Sequence, residues 1–262
     1  MTKIIAVTNQ KGGVGKTTTS VNLAASLAAC KKRTLLIDLD PQGNATMGCG
    51  VEKNEQETTI YSVLVDDIPI ETAIIRSQCD KKLAVVPSND DLTAAEIELV
   101  SLPQKEYRLK NQIAKIADSY DYIIIDCPPA LSMLTINALT AANAVLIPVQ
   151  CEYYALEGLS SLIRTVDKIK QTVNPNLEIE GLLRTMYDPR NSLTRDVTKQ
   201  LVDHFGSRVY QTTIPRNVRL AEAPSYGVPA LHYDKKSRGA TAYLALAGEL
   251  LRREKQKNLA NA

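Results

Sequence analysis

The stretch NQKGGVGKTTTS, residues 9–20, lies between an apolar run, IIAVT (4–8), and a helical pattern over 16–30. Strand, glycine-rich turn and helix in that order are the setting of a phosphate-binding loop. Gly12, Gly13 and Gly15 free backbone N–H groups to converge on an anion at a helix N-terminus. Lys16 is spaced to reach β- and γ-phosphates, and the Thr17 hydroxyl to ligate Mg2+. The ordinary pattern G-x-x-x-x-G-K-[ST] has a glycine where this chain has Gln10, and beside it stands a second lysine, Lys11. The pattern alone does not account for Lys11.

Working outward, further short apolar runs recur at TLLID (34–38), LAVVP (83–87), YIIID (122–126), AVLIPV (144–149), IEGLLRTMY (179–187) and VYQTTIP (209–215). Helical stretches separate them: 92–101, 106–118, 133–142, 156–172 and, after the last run, about 239–254. Strands that are apolar throughout and alternate with helices predict an α/β fold. Its mostly parallel, doubly wound sheet carries helices on both faces, in a single domain over 1–262. Ligands of such a sheet bind at the carboxyl ends of its strands. Segment 51–81, with the charge cluster EKNEQE and weak periodicity, reads as an excursion from that core, and about 252–262 as a solvated helical tail.

Of the 262 residues 44% are hydrophobic, enough for one large core, and 31 basic residues nearly balance 29 acidic ones. No global basic field marks a nucleic-acid partner. Apolar stretches are too short to span a bilayer, and the N-terminus lacks a signal-peptide pattern. Five dispersed cysteines with no C-x-x-C pair fit reduced thiols in a cytoplasm.

Two acidic strand ends belong with the loop. Asp126 ends YIIID and is followed by Pro128 and Pro129, a placement suited to the Mg2+ shell through water. Asp38 ends TLLID, and Asp40 follows in the turn-forming DLDPQGN. One of these two can orient or deprotonate an attacking water while the other helps hold the metal. No N-K-x-D guanine-reading motif occurs, which favours adenine.

The lysine-led loop KGGVGKT resembles the deviant phosphate loop of the MinD/ParA class. DLDPQGN (38–44), YIIIDCPP (122–129), VQCEYYALEGL (149–159) and IPRNVRLAEAPSYG (214–227) resemble the ParA/Soj chromosome-partitioning ATPases. The matching blocks run from residue 4 to 239, with 51–120 the variable part. The resemblance implies ATP and Mg2+ as cofactors, and a homodimer in which Lys11 contacts the ATP of the partner chain. Gly12 stays small there so that two loops can approach. It implies a hydrolytic role for Asp40, metal-associated carboxylates at Asp38 and Asp126, and nucleotide contacts across Lys11, Gly12, Gly13, Val14, Gly15, Lys16, Thr17 and Thr18. The adenine is expected against Met186, Pro215 and Asn217.

Residues 182–238 hold ten basic and five acidic side chains, so the rest of the chain is net negative. By resemblance, Arg190 and Arg219 match arginines that bind double-stranded DNA without sequence preference. Arg216, Lys235, Lys236 and Arg238 are secondary candidates. The resemblance further implies a ParB-type centromere-binding partner and a cytoplasmic, nucleoid-associated location. The alternative is a MinD-like membrane-cycling regulator, which should end in an amphipathic helix. The ending LLRREKQKNLANA carries one large apolar residue after Leu251, so no membrane partner is expected.

Overall fold

The structure, a computed structural model, describes residues 2–153 and 155–260. Among these, β1 (Lys3–Val7), β2 (Thr34–Asp38), β3 (Ile75–Arg76), β4 (Leu83–Val86), β5 (Tyr122–Asp126), β6 (Ala144–Gln150), β7 (Glu178–Tyr187) and β8 (Val209–Pro215) form one sheet. The order is β3-β4-β2-β5-β1-β6-β7-β8. Only β3 is antiparallel to its neighbour. The first strand therefore lies inside the sheet between β5 and β6, and the loops after β1, β2 and β5 open at one carboxyl edge. A crevice at that edge is where an open parallel sheet takes its ligand.

The helices are α1 (Lys16–Ala29), α2 (Asn44–Met47), α3 (Ile60–Leu64), α4 (Leu92–Ser101), α5 (Arg108–Ile116) and α6 (Met133–Ala141). They continue with α7 (Ala155–Thr172), α8 (Ser192–Phe205), α9 (Val218–Glu222), α10 (Ala230–Tyr233) and α11 (Arg238–Ala260). Strand alternation divides the core between two faces. Ile5, Val7, Leu36 and Ile124 meet α1 and α11 through Leu23, Leu27, Tyr243 and Leu250. Ala6, Leu35, Ile37, Ile123 and Ile125 share the opposite core with α3 to α8. Each fully buried Leu or Ile contributes about 1.5–3 kcal/mol by removal from water, which is why the inner strands carry almost no polar residue before their last position.

All seven expected strands are present, as are the six expected helices. Two readings need correction. The 51–81 segment is not merely an excursion: Ile60, Val63, Leu64, Ile70 and Ala73 are buried in the core beneath α4 and α5. Ile60, Val63 and Leu64, spaced i, i+3, i+4, make one face of α3, too short a run to stand out beside the charged tract before it. Helix α8 was not expected. Its core stripe is only Thr194, Val197 and Leu201, but its N-cap was legible in Asn191, whose side chain accepts from the Leu193 N–H. The tail is helical and mostly exposed through Leu259; residues 261–262 lie outside the described residues.

Strand β7 meets β6 through an irregularity between Val145 and Leu146 and meets β8 with two register shifts. Gly181 sits in this region. A Cβ there would lie 2.6 Å from both the Arg208 carbonyl and the Tyr210 ring. Gly181→Ala is expected to lower unfolding free energy by about 1–3 kcal/mol through overpacking, measured by urea denaturation with an unchanged m-value.

Candidate nucleotide-binding site

The loop is built as its glycines require. Gly13 and Gly15 have φ of +72° and +85°, and Gly15 caps α1. Open space lies within 4 Å of any Cβ placed on Gly12 or Gly13. Val14 is buried, and its carbonyl accepts from Thr185 Oγ1 at 2.8 Å, tying the loop to β7. Lys16 is only 7% exposed, and its ammonium donates to the Lys11 carbonyl at 3.2 Å. Burial pushes its pKa down, opposed by the charges of Asp126 and Asp40. A cation folded back on its own loop, with no carboxylate in direct contact, is free to turn to an incoming phosphate.

The two strand-end carboxylates are register partners, Asp38 opposite Asp126, and both are fully buried. Asp38 is well supplied: Oδ2 accepts from the Thr46 N–H and hydroxyl at 2.8 Å, and Oδ1 from the Asp40 N–H at 3.1 Å. Asp126 accepts from Ser20 Oγ at 2.7 Å on Oδ1, while its buried Oδ2 has no hydrogen-bond partner among the described residues. Burial raises both pKa values; the charge of Asp38 raises Asp126 further and that of Asp40 raises Asp38, while the hydroxyls of Ser20 and Thr17 oppose the rise at Asp126. A buried carboxylate with one oxygen orphaned, near the Thr17 hydroxyl, fits a Mg2+ ion or one of its waters. No cluster of three or more His, Cys, Asp or Glu suited to a metal occurs among the described residues. A phosphate-bound Mg2+ needs none, because it takes one hydroxyl, phosphate oxygens and waters.

Asp40 is half-buried beyond the end of β2, in a turn where its Oδ1 accepts from the Gln42 N–H at 3.0 Å. Lys11 is exposed, and its Nζ meets Glu152 Oε2 of the same chain at 2.7 Å. The residues expected at the base share one wall: β7 and β8 bring Tyr187 opposite Pro215, and Arg216 Nη2 lies 4.0 Å from Met186 Sδ. Met186 has φ +50°, an uncommon conformation for a side chain of its size, and Asn217 Oδ1 is buried without a partner.

The basic segment divides. Arg184 is buried and donates to the Tyr210 and Gln211 carbonyls, so it is no part of a surface. Arg208 stands just before β8, at the amino edge of the sheet, away from the loop. Arg190, 88% exposed at its side chain, grips Asp188 with two hydrogen bonds of 2.8 and 3.0 Å and pushes that carboxyl down to about 2. The charge of Arg238 adds to the same shift. Arg219 pairs with Glu222 at 2.7 Å and Asp234 at 3.5 Å, over the Tyr233 ring. Lys235, Lys236 and Arg216 are exposed.

A family profile described as an AAA domain matches residues 2–179. Soj of Bacillus subtilis, the sporulation initiation inhibitor protein, is 56% identical over 250 residues, 95% of this chain and 98% of its own. The chromosome partitioning protein ParA of Myxococcus xanthus is 51% identical, covering 98% of this chain and 90% of its own. The chain belongs to the ParA/Soj family of partitioning ATPases. Among solved structures, cobyrinic acid a,c-diamide synthase from Mycobacterium smegmatis, with bound ATP analogue and magnesium, superposes with a TM-score of 0.85. It is 38% identical and covers 97% of this chain and 96% of its own. The ParA/Soj assignment makes the chain a P-loop ATPase and accounts for the strand–loop–helix at its centre.

Sequence reasoning missed four supports of this ParA/Soj site: Ser20, Thr46, Thr185 and Glu152. Ser20 was within reach, since it stands four residues after Lys16 on one face of α1. Thr46 arrives on α2, eight residues after Asp38, and Thr185 and Glu152 are brought in by strand pairing; none of these leaves a local pattern. Lys16→Ala is expected to reduce ATP affinity by two orders of magnitude or more, on the order of 3 kcal/mol, in isothermal titration with Mg2+.

Proposed function

We propose that the chain is an ATP-dependent DNA-segregation switch. Two copies close face to face around two ATP–Mg2+, and the closed dimer binds double-stranded DNA of the nucleoid without sequence preference. A ParB-type centromere-binding protein stimulates hydrolysis, and monomers leave. The carrying observation is the front of the loop. Lys11 and Glu152 are both exposed, so their pair is worth about 0–1 kcal/mol and is readily exchanged for a phosphate oxygen. Beside it, nothing among the described residues comes within 4 Å of a Gly12 Cβ, so a glycine there answers to something approaching from outside.

In this reading Lys16 contacts the β- and γ-phosphates of its own chain's ATP, and Lys11 those of the partner's. Gly12, Gly13, Val14, Gly15, Thr17 and Thr18 line the phosphates. Thr17 would hold Mg2+, with Asp126 and Asp38 on its waters; the ion supplies neutralisation of phosphate charge. Asp40, oriented by the Gln42 N–H, accepts the hydrogen bond of the attacking water. Met186, Pro215 and Asn217 receive the adenine.

Arg190 and Arg219, with Arg216, Lys235, Lys236 and Arg238, would meet DNA phosphates. Arg190 and Arg219 already hold carboxylates, so DNA replaces one weak surface pair by another there and affinity per subunit is low. Doubling the contacts in a dimer makes affinity depend on ATP. About three contacts per subunit become about six, with a salt slope near −5.

Lys11→Ala is expected to keep ATP binding and lose the ATP-dependent dimer in sedimentation velocity; a dimer that persists removes the bridging role. Arg219→Glu is expected to dimerise normally while DNA affinity drops about ten-fold or more and the salt slope shrinks by about 2. Unchanged DNA affinity would move the DNA surface elsewhere.

A further inference from the structure

We infer that Lys53 is a positioning residue for hydrolysis, a clamp on the turn that carries Asp40. The inference rests on the reading that Asp40 serves the attacking water. From inside the fold the turn is closed by three bonds. The Asp40 N–H donates to Asp38 Oδ1 at 3.1 Å, the Gln42 N–H to Asp40 Oδ1 at 3.0 Å, and the Gly43 N–H to the Asp40 carbonyl at 2.9 Å. From outside, one side chain closes it. Lys53 Nζ donates to the Gln42 carbonyl at 3.1 Å and pairs with Asp90 Oδ1 at 2.9 Å.

Gly43 shows how closely that side chain lies. Its φ is +64°, and a Cβ there would stand 2.8 Å from Lys53 Cδ and 2.9 Å from the Ser88 carbonyl. The aliphatic stem of Lys53 thus lies flat on the turn where only hydrogen leaves room. In the tract EKNEQE its side chain is 22% exposed, whereas Glu52, Asn54 and Glu55 point to solvent. A lysine that extends across a surface and gives up rotamer freedom must be repaid by what it touches, here a carbonyl, a carboxylate and a glycine.

Gln42 is consequently held at both ends, its N–H by the Asp40 carboxylate and its carbonyl by the Lys53 ammonium. Releasing the carbonyl frees the Gln42–Gly43 peptide, whose own N–H closes the turn on the Asp40 carbonyl, and so loosens the residue whose N–H orients Asp40 Oδ1. Lys53 touches neither nucleotide nor water in this reading; it acts on rate through Asp40. Small displacements of a catalytic group lower rates well before they unfold a protein.

The test compares Lys53→Met, which keeps the stem and removes the ammonium, with Lys53→Arg, which restores a cation and donors. For Lys53→Met the expected result is a kcat lower by about five-fold, with ATP Kd and melting temperature unchanged. Lys53→Arg should recover most of the loss. Unchanged kcat, a parallel loss of ATP affinity and thermal stability, or failure of arginine to rescue would each overturn the clamp. Asp40→Ala is measured alongside. If that variant turns over normally, the reading of Asp40 itself fails; if it is inactive while Lys53→Met is unaffected, only the clamp fails.

Discussion

One ammonium and two carboxylates are buried together at the carboxyl edge of the sheet, and the surrounding fold is arranged to tolerate them. Lys16, Asp38 and Asp126 are each nearly or fully withdrawn from water. Isolated, any one of these charges would be expelled or neutralised. Their tolerance depends on hydroxyls and N–H groups placed by three different elements: Ser20 on α1, Thr46 on α2 and the peptide of Asp40. That requirement fixes α1 against the end of β5 and the 40–47 segment against the end of β2. The central position of β1 follows, because only an inner strand can present its loop to both.

Most of this was legible because buried parallel strands and phosphate loops write continuous patterns. IIAVT, TLLID and YIIID each run apolar to a last residue that carries the chemistry, and the glycine spacing marks the turn. What was not legible depends on contacts between distant segments. The charged run EKNEQE hid a helix whose three core residues fill the space beneath α4 and α5. Arg184 counted as surface charge in the sequence, yet strand β7 turns it inward onto β8 carbonyls. Glu152 sits in a motif that resemblance flagged, but only pairing of β6 with β1 brings it to Lys11.

The same principle governs the two ends of the proposed cycle. Every cation assigned to an interface with another molecule is exposed, and Lys11, Arg190 and Arg219 are weakly paired within the chain. The cation assigned to the chain's own nucleotide is buried and rests on a backbone carbonyl. In the proposed cycle, intramolecular pairing would keep the outward-facing side chains ordered and limit indiscriminate binding by a lone subunit. Burial of Lys16 makes its preference for an anion strong.

The Lys11–Glu152 pair also bears on ionic strength. In the proposed closure the ammonium leaves one anion for another, so dissolved salt weakens the state it departs from as well as the state it enters. Those effects largely cancel. DNA contact, by contrast, releases the counterions condensed along the double helix and feels salt in one direction only. Raising salt would therefore strip the protein from DNA while leaving nucleotide-driven closure nearly untouched, separating in a test tube the two steps that the proposed cycle couples.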